Sequence, residues 1–192
     1  MTTEIKQGLL LAADYHCSPN QDPRPDPDDI TGIVIHNISL PPGEFGSGWI
    51  DDLFLNKLDP TAHPYFAEIV DMQVSAHLLI KRSGEVIQYV PFDQRAWHAG
   101  VSSWHGRDKC NDFTIGIELE GCDDQTFEPE QYQQLAQVIS CLCQTYPQLN
   151  HETIKGHSDI APNRKTDPGP CFYWATLKHY LELHQKTSIE KV

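Results

Sequence analysis

The sequence predicts an α/β fold in which a central mixed β-sheet is flanked by α-helices. A β-branched apolar run at residues 30–35 indicates a strand that is buried on both faces. Two extended segments around Ser83 and Gly84 predict an antiparallel hairpin. Apolar residues at helical spacing after Pro129 predict a long helix. Strands mixed with helices, with one hairpin among them, are typical of a mixed sheet covered by helices.

The first strand leads to the first chemically notable residue. We expect His36 at the end of this strand, directly after the apolar run. Residues 41–64 are rich in Pro and Gly, and such a long connection is often functional, so we expect a wall or lid. One short apolar helical face interrupts it, formed by Trp49, Ile50, Leu53 and Phe54.

The hairpin and the next strand complete the predicted sheet. Residues 75–81 and 85–90 form the two arms of the hairpin. Residues 113–120 alternate with period two, and the apolar side consists of Phe113, Ile115, Ile117 and Leu119. Glu118 and Glu120 therefore share the opposite face with Thr114 and Gly116.

Two helices follow in the last third of the chain. Pro129 suits a first helical position, and the apolar periodicity continues to a stop at Pro147. A last helix is predicted at about residues 172–184, with an inward face of Trp174, Leu177, Tyr180 and Leu181. The length of 192 residues predicts one domain over residues 1–192, with a core at about 15–184.

Composition excludes several classes of function. The net charge of −13 and the lack of a Lys and Arg cluster argue against a nucleic-acid partner. No run approaches the roughly 20 apolar residues that span a bilayer, so we expect a soluble protein with no membrane partner. The N-terminus lacks the pattern of a signal peptide, which predicts a cytoplasmic location and six reduced cysteines. Cys141 and Cys143 are two apart on a helix and face apart, which favours packing over metal binding.

The densest polar signal lies at residues 156–170. This segment is rich in Pro and Gly, so we expect an extended path without helix, with Lys165 and Asp167 on the same side. His157 joins them after a turn. With His36 these residues supply two histidines and one carboxylate, a set that suits a catalytic zinc site with one open position. Each histidine alone is weak support, because the chain has ten.

Five ordered segments make the chain recognisable. They are residues 34–45 (VIHNISLPPGEF), 74–77 (VSAH), 95–100 (RAWHAG), 116–121 (GIELEG) and 156–170. Together they closely resemble the cytoplasmic anhydro-N-acetylmuramoyl-L-alanine amidases, within the zinc amidases that include phage lysozyme-type amidases and peptidoglycan recognition proteins. The resemblance spans roughly residues 15–174.

The resemblance implies roles for particular residues. It implies zinc ligation by His36, His157 and Asp167, with Glu118 as the general acid and base and Lys165 as the stabiliser of the oxyanion. Wider relatives often use cysteine as the third ligand, so Asp167 favours the intracellular recycling branch and leaves Cys171 without a role. Spacing alone leaves Glu120 open as an alternative to Glu118, and Lys165 open as a solvated surface charge.

The substrate implied by the resemblance is a muropeptide, cut between anhydro-N-acetylmuramic acid and L-alanine during peptidoglycan recycling. Asn37, Trp97 and His98 are candidate contacts for its sugar or peptide, and Trp97 is equally consistent with plain core packing. Arg107 and Lys109 are candidates for its carboxylates. Lys109 departs from the arginine that is common in the family and lacks the bidentate fork. His77 is interpreted as a structural histidine.

Two other functions remain open at this point. One is an amidase that acts on intact peptidoglycan, as an autolysin or phage enzyme does. The other is a catalytically silent module that binds peptidoglycan. We expect the protein to act as a monomer with zinc as its cofactor.

Overall fold

The computed structural model describes residues 4–189 of the chain. The strands are β1 (Ile5–Lys6), β2 (Leu9–Leu10), β3 (Asp14–Tyr15), β4 (Gln21–Pro23), β5 (Gly32–Ile38), β6 (Leu78–Ile80), β7 (Val86–Gln88), β8 (Gln94–Ala96), β9 (Ser103–Trp104), β10 (Arg107–Asp108), β11 (Thr114–Glu120) and β12 (Ile154–Gly156). The helices are α1 (Trp49–Phe54), α2 (Phe66–Ile69), α3 (Pro129–Thr145), α4 (His157–Ile160) and α5 (Trp174–Ile189), and a 3₁₀ turn covers Cys110–Asp112.

The predicted mixed sheet is confirmed. Six strands lie in the order β12-β5-β11-β6-β7-β3. The first four of these run parallel, β6 and β7 form the predicted antiparallel hairpin, and β3 adds a parallel edge. The remaining strands pair two by two outside this sheet.

One expectation about β5 is wrong in its boundary. His36 lies within the strand, which continues to Ile38, because β11 pairs with β5 as far as Glu120 and holds the extra residues in the ladder. The parallel register sets His36 directly beside Glu118. Both side chains therefore leave the sheet on the same face.

Helices α3 and α5 cover one face of the sheet with an apolar core. Helix α3 begins at Pro129, as predicted, and Glu128 caps it by donating its backbone N–H to the Gln131 side chain at 3.0 Å.

Helix α5 begins at Trp174, which is 41% exposed, so its predicted inward position is wrong. Phe172 fills the core at that point and meets the Trp174 ring edge-on. Leu177 and Leu181 are buried as predicted.

The opposite face has two separate covers. Helices α1 and α2 pack over the hairpin half of the sheet, through residues such as Phe54 and Phe66. Ile160 of α4 packs with Val34 at the other end. The helical turn predicted at 49–54 is α1, whereas α2 was not predicted. Within residues 4–189, no helix is both long enough and apolar enough for a membrane span.

Candidate metal centre and active site

The candidate site lies on this second face of the sheet, between its two covers. β5 supplies His36, which is 1% exposed, and the neighbouring β11 supplies Glu118. Alternation within both strands sends Ile35 and Ile117 into the apolar core on the other side. The sequence pattern that builds the core therefore also fixes the direction of these two polar side chains.

His157 reaches the site from the edge of the same sheet. Strand β12 pairs with β5 and ends at Gly156, and α4 begins with His157. The expectation that residues 156–170 contain no helix is thus wrong for α4. Residues 157–160 contain neither Pro nor Gly, and the Asp159 carboxylate caps this turn by accepting the Gly156 N–H at 2.8 Å.

Asp167 arrives on the loop that follows α4. Its backbone carbonyl accepts the Ser158 N–H at 2.9 Å, which ties the loop back to the start of α4. On the same loop, the Arg164 guanidinium donates to the Ala99 and Val101 carbonyls at 2.6 and 2.7 Å. These bonds fix the loop at both ends of the stretch that carries Lys165.

Three ligand-type atoms converge at this point. The Nδ1 atoms of His36 and His157 are 3.0 Å apart, and each lies 3.0 Å from Oδ2 of Asp167. His157 donates its Nε2 proton to the Ala99 carbonyl at 3.1 Å, so a neutral His157 presents a bare Nδ1. An ionised carboxylate only accepts hydrogen bonds, and hydrogen bonds therefore cannot link all three pairs.

This arrangement fits a zinc ion. Two imidazole nitrogens and one carboxylate oxygen are a common catalytic zinc set, and tetrahedral bonds of about 2.0–2.1 Å separate ligand atoms by about 3.3 Å. The triangle of 3.0 Å edges is close to that spacing. Within the described residues, His36, His157 and Asp167 form the one group of this kind.

The pKa values of the candidate ligands His36 and Asp167 also suit a metal site. Burial lowers the pKa of His36 to about 4, which keeps its imidazole neutral at pH 7. Burial alone would raise the pKa of Asp167, but its side-chain contacts with His157 and His36 hold that pKa below its usual value. A neutral imidazole and an ionised carboxylate are the forms that bind zinc.

Glu118 and Glu120 share a face but differ in their contacts. Glu120 accepts the Gly46 N–H at 2.6 Å and the Arg82 N–H at 3.1 Å, so both of its oxygens serve the backbone. Glu118 lines the cavity, and its buried Oε2 has no hydrogen-bond partner among residues 4–189. The contacts favour Glu118 as the residue that meets a ligand.

Burial raises the pKa of Glu118 well above its ordinary value. The negative charge of Asp167 adds to this rise, and the positive charge of Lys165 opposes it. A raised pKa makes the ionised carboxylate a stronger base than an exposed glutamate, which suits a group that takes up a proton and then releases it.

A cavity of about 340 Å³ opens over these residues. Its polar end contains Glu118, Lys165 and the three ligand residues. Its other end is an apolar wall from residues 49–74, formed by Leu53, Phe54, Tyr65, Ile69, Met72 and Val74. The segment predicted as a wall or lid, residues 41–64, contributes Pro42, Leu53 and Phe54 to the cavity lining, and the rest of the wall comes from residues 65–74.

Three of the predicted substrate contacts line this cavity. Asn37 donates its side-chain amide to the Asp123 carboxylate at 2.7 Å and to the Pro168 carbonyl at 3.1 Å. Trp97 donates its indole N–H to Asp22 at 3.1 Å, and the rest of its ring borders the cavity. His98 also borders the cavity, with both ring nitrogens within hydrogen-bond distance of protein groups.

The structure does not bring Arg107 and Lys109 to the cavity. Arg107 pairs with Asp29 at 2.5 Å and lies over the Phe113 ring at 3.9 Å. Lys109 is exposed, at the start of the 3₁₀ turn.

Sequence reasoning missed several residues of the site. Tyr65, Ile69 and Met72 belong to the cavity wall, and the apolar pair Phe66 and Ile69 at helical spacing was the available signal. The Ala99 carbonyl, which orients His157, carries no side-chain signal at all.

Comparison with known proteins identifies related chains. Residues 26–170 match the family model described as N-acetylmuramoyl-L-alanine amidase. A relative from Escherichia coli (strain K12), 1,6-anhydro-N-acetylmuramyl-L-alanine amidase AmpD, is 58% identical over 174 residues, which cover 91% of this chain and 94% of the relative.

Solved structures agree with the sequence relatives. A crystal structure of a selenomethionine derivative of AmpD is 55% identical, with a TM-score of 0.90 over 92% of this chain and 98% of that one. The E. coli amidase AmiD, solved with the substrate anhydro-N-acetylmuramic acid-L-Ala-D-γ-Glu-L-Lys, is 30% identical, with a TM-score of 0.58 over 93% of this chain and 65% of that one.

Proposed function

The chain belongs to the N-acetylmuramoyl-L-alanine amidase family, and we propose that it hydrolyses the amide bond between 1,6-anhydro-N-acetylmuramic acid and L-alanine in muropeptides. This is the reaction named in its relative of 58% identity. One observation within the molecule carries the proposal. A converging set of two imidazoles and a carboxylate lies beside the unpartnered carboxyl oxygen of Glu118, at the end of an open cavity.

The cofactor of the proposed reaction is zinc, held by His36, His157 and Asp167. When bound, zinc polarises the amide carbonyl and lowers the pKa of water to about 7. The buried imidazoles and the ionised Asp167 are the side chains that would hold it. The hydrogen bond from His157 to the Ala99 carbonyl would keep its ring aimed at the site.

Glu118 is the proposed general base and general acid. It takes a proton from the attacking water, whose oxygen bonds to the amide carbon, and later gives that proton to the departing L-alanine nitrogen as the C–N bond breaks. Burial raises its pKa above the ordinary value, which strengthens the carboxylate as a base. The second water proton also moves to this nitrogen, so the products are the carboxylate of the muramyl lactyl group and the protonated N-terminal amine of the peptide.

Lys165 is proposed to stabilise the oxyanion that forms on the amide oxygen. Lys165 lines the polar end of the cavity, on the loop held by Arg164 and Asp167. A fixed positive charge there lowers the energy of the tetrahedral intermediate more than that of the neutral amide. A solvated lysine without this role would tolerate replacement by methionine.

Asn37, Trp97 and His98 are proposed to contact the muropeptide as residues that line the cavity. Arg107 and Lys109 lie outside it and remain predictions as contacts for carboxylates farther along the peptide. The apolar wall around Tyr65 and Met72 suits the sugar and lactyl carbons of a muropeptide better than a charged group.

The biological setting is also a proposal. We infer that the chain works in the cytoplasm on recycled fragments, in keeping with its resemblance to the recycling amidases. We further propose that residues 1–192 act as one domain and as a monomer, because a single chain supplies all three metal-ligand residues.

The test of the proposed function compares substrates. Purified protein, loaded with zinc, is mixed with anhydro-N-acetylmuramoyl-tripeptide or with intact peptidoglycan, and free peptide is measured with and without a chelator. The proposal expects rapid, chelator-sensitive cleavage of the anhydro fragment and much slower attack on the polymer. Equal or faster cleavage of the polymer would indicate an autolysin-type enzyme, and bound zinc without any cleavage would indicate a binding module.

The Lys165→Met variant tests the proposed oxyanion contact. It should cut the rate of peptide release from the anhydro fragment about 10²- to 10³-fold.

A further inference from the structure

A chain of hydrogen bonds leads from the candidate metal ligand His36 into the protein interior. His36 Nε2 lies 2.9 Å from His98 Nδ1, and His98 Nε2 lies 3.2 Å from the Thr114 hydroxyl. That hydroxyl donates to the Cys110 carbonyl at 2.6 Å. Thr114 is fully buried, so water does not compete for these contacts.

The Cys110 carbonyl, the last acceptor in this series of hydrogen bonds, fixes the direction of every bond in the series. A carbonyl only accepts, so Thr114 gives its single hydroxyl proton to Cys110 and must accept from His98 Nε2–H. A neutral imidazole has one N–H, which leaves His98 Nδ1 as an acceptor for His36 Nε2–H. His36 therefore carries its proton on Nε2 and presents a bare Nδ1 to His157 and Asp167.

The backbone beside His98 is shaped to seat this ring. A Cβ atom on Gly116 of β11 would lie 2.3 Å from Cγ of His98 and 2.6 Å from its Nδ1. The φ angle of Gly116 is not in the left-handed region, so the ring of His98 is what excludes a side chain there. The ring lies edge-on to His36, with centroids 5.0 Å apart.

The neighbouring His77 shows that burial alone does not create such a link. Its Nδ1 accepts the Gly116 N–H at 3.0 Å, and its Nε2 lies 3.1 Å from the Gln94 carbonyl. Its Nε2 also lies 3.0 Å from Nη2 of the Arg24 guanidinium. None of these partners is a candidate metal ligand, so we interpret His77 as a structural histidine, as in the sequence analysis. His98 instead links a side chain of the strand to a candidate ligand.

We propose that His98 and Thr114 are positioning residues that hold His36 in the Nε2–H tautomer, with its Nδ1 lone pair aimed at the metal. The inference rests on the proposed zinc site. In this arrangement both nitrogens of His98 are used, so its contact with substrate is limited to the carbon edge of the ring. Outer-shell partners of this kind set the orientation and basicity of a ligand histidine.

The test measures zinc affinity rather than turnover. Full-length protein is stripped of metal and titrated with zinc in competition with a chromophoric chelator. Thr114→Val removes the hydroxyl at almost constant volume and should weaken zinc binding about 10- to 100-fold. Thr114→Ser keeps the hydroxyl and should restore the affinity. Thr145→Val is the matched control, since Thr145 also donates to a backbone carbonyl, that of Cys141 at 2.9 Å, on helix α3 away from the site.

A second readout does not depend on any variant. The ¹⁵N shifts of histidine rings in the metal-free wild-type protein report the tautomer of each neutral imidazole. The proposal expects Nε2–H at both His36 and His98. A proton on Nδ1 of His36, or an unchanged zinc affinity in Thr114→Val, would overturn the positioning role while leaving the amidase intact. A wild-type protein that binds no zinc would instead overturn the proposed zinc site itself.

Discussion

The two faces of the central sheet differ in how their residues are held. On one face, Ile115, Ile117 and Leu119 pack against α3 and α5 in an apolar core. On the other face, Thr114, Gly116 and Glu118 alternate with them. Thr114 and Gly116 contact the ring of His98, and Glu118 lines the cavity. One strand thus serves both stability and chemistry, and period-two alternation separates the two tasks.

This difference implies that the two faces respond to mutation in different ways. An apolar side chain of the core contributes through its buried area and the cavity left by its removal. A side chain on the polar face contributes through one or two directed contacts, which can be removed with little change in volume. The following predictions separate the faces, from the largest expected effect to the smallest.

Glu118→Gln should have the largest effect on activity. The amide cannot accept the proton of the attacking water, so kcat should fall about 10²- to 10⁴-fold while zinc stays bound. Steady-state kinetics and elemental analysis measure the two quantities. Glu120→Gln, on the same strand and face, is the control and should keep most of its activity because Glu120 contacts backbone N–H groups. Loss of zinc from Glu118→Gln would show that Glu118 is a ligand.

Ile139→Ala tests the apolar face. Ile139 is fully buried in α3, and its truncation should lower the free energy of unfolding by about 2–5 kcal/mol. Urea unfolding measures that loss, and kcat of the folded protein at low temperature should stay close to the wild-type value. A large drop in kcat at full folding would show that the two faces are coupled.

The sequence predicted which residues lie on each face of the sheet, but not which residues of the polar face form the site. Alternation in β11 was enough to assign Ile117 to the core and Glu118 to the other side, because burial of one face imposes period two. It did not separate Glu118 from Glu120, since that choice depends on Gly46 and Arg82, which are distant in sequence. Residue chemistry suggested His36, His157 and Asp167 as a zinc set, and the resemblance implied the same roles. The hydrogen bonds of Thr114 with His98 and Cys110 left no pattern in the sequence.

Acid should weaken the polar face in the metal-free protein. The pKa of His36 is lowered from 6.5 to about 4 in the folded state. Below pH 6.5 the unfolded chain therefore binds more protons than the folded chain, and the free energy of unfolding decreases as the pH falls. From His36 alone the loss between pH 7 and pH 5 should be on the order of 2 kcal/mol. Burial also lowers the pKa values of His77 and His98, which act in the same direction, whereas the raised pKa of Glu118 acts in the opposite direction.

Urea unfolding at the two pH values measures this loss. The His36→Gln variant is the control and should show a shallower dependence on pH, because it lacks one of the titrating groups. An equal dependence on pH in the wild-type and His36→Gln proteins would mean that His36 is protonated as readily in the folded chain as in the unfolded one.

Arg107→Ala should have the smallest effect. Its guanidinium pairs with Asp29 at the surface, an interaction worth about 0.2–1 kcal/mol, and it lies outside the cavity. Melting temperature and KM for the anhydro-tripeptide should both change little. A clear rise in KM at unchanged stability would support the sequence-based prediction that Arg107 binds a carboxylate of the substrate.

Metal titration of activity tests the central claim most directly. Protein stripped of metal is mixed with anhydro-N-acetylmuramoyl-tripeptide, and peptide release is followed as zinc is added. The converging set of His36, His157 and Asp167 predicts no turnover without metal and a rise that levels off at one zinc per chain. Full turnover by the stripped protein, or none after one equivalent of zinc has bound, would contradict it.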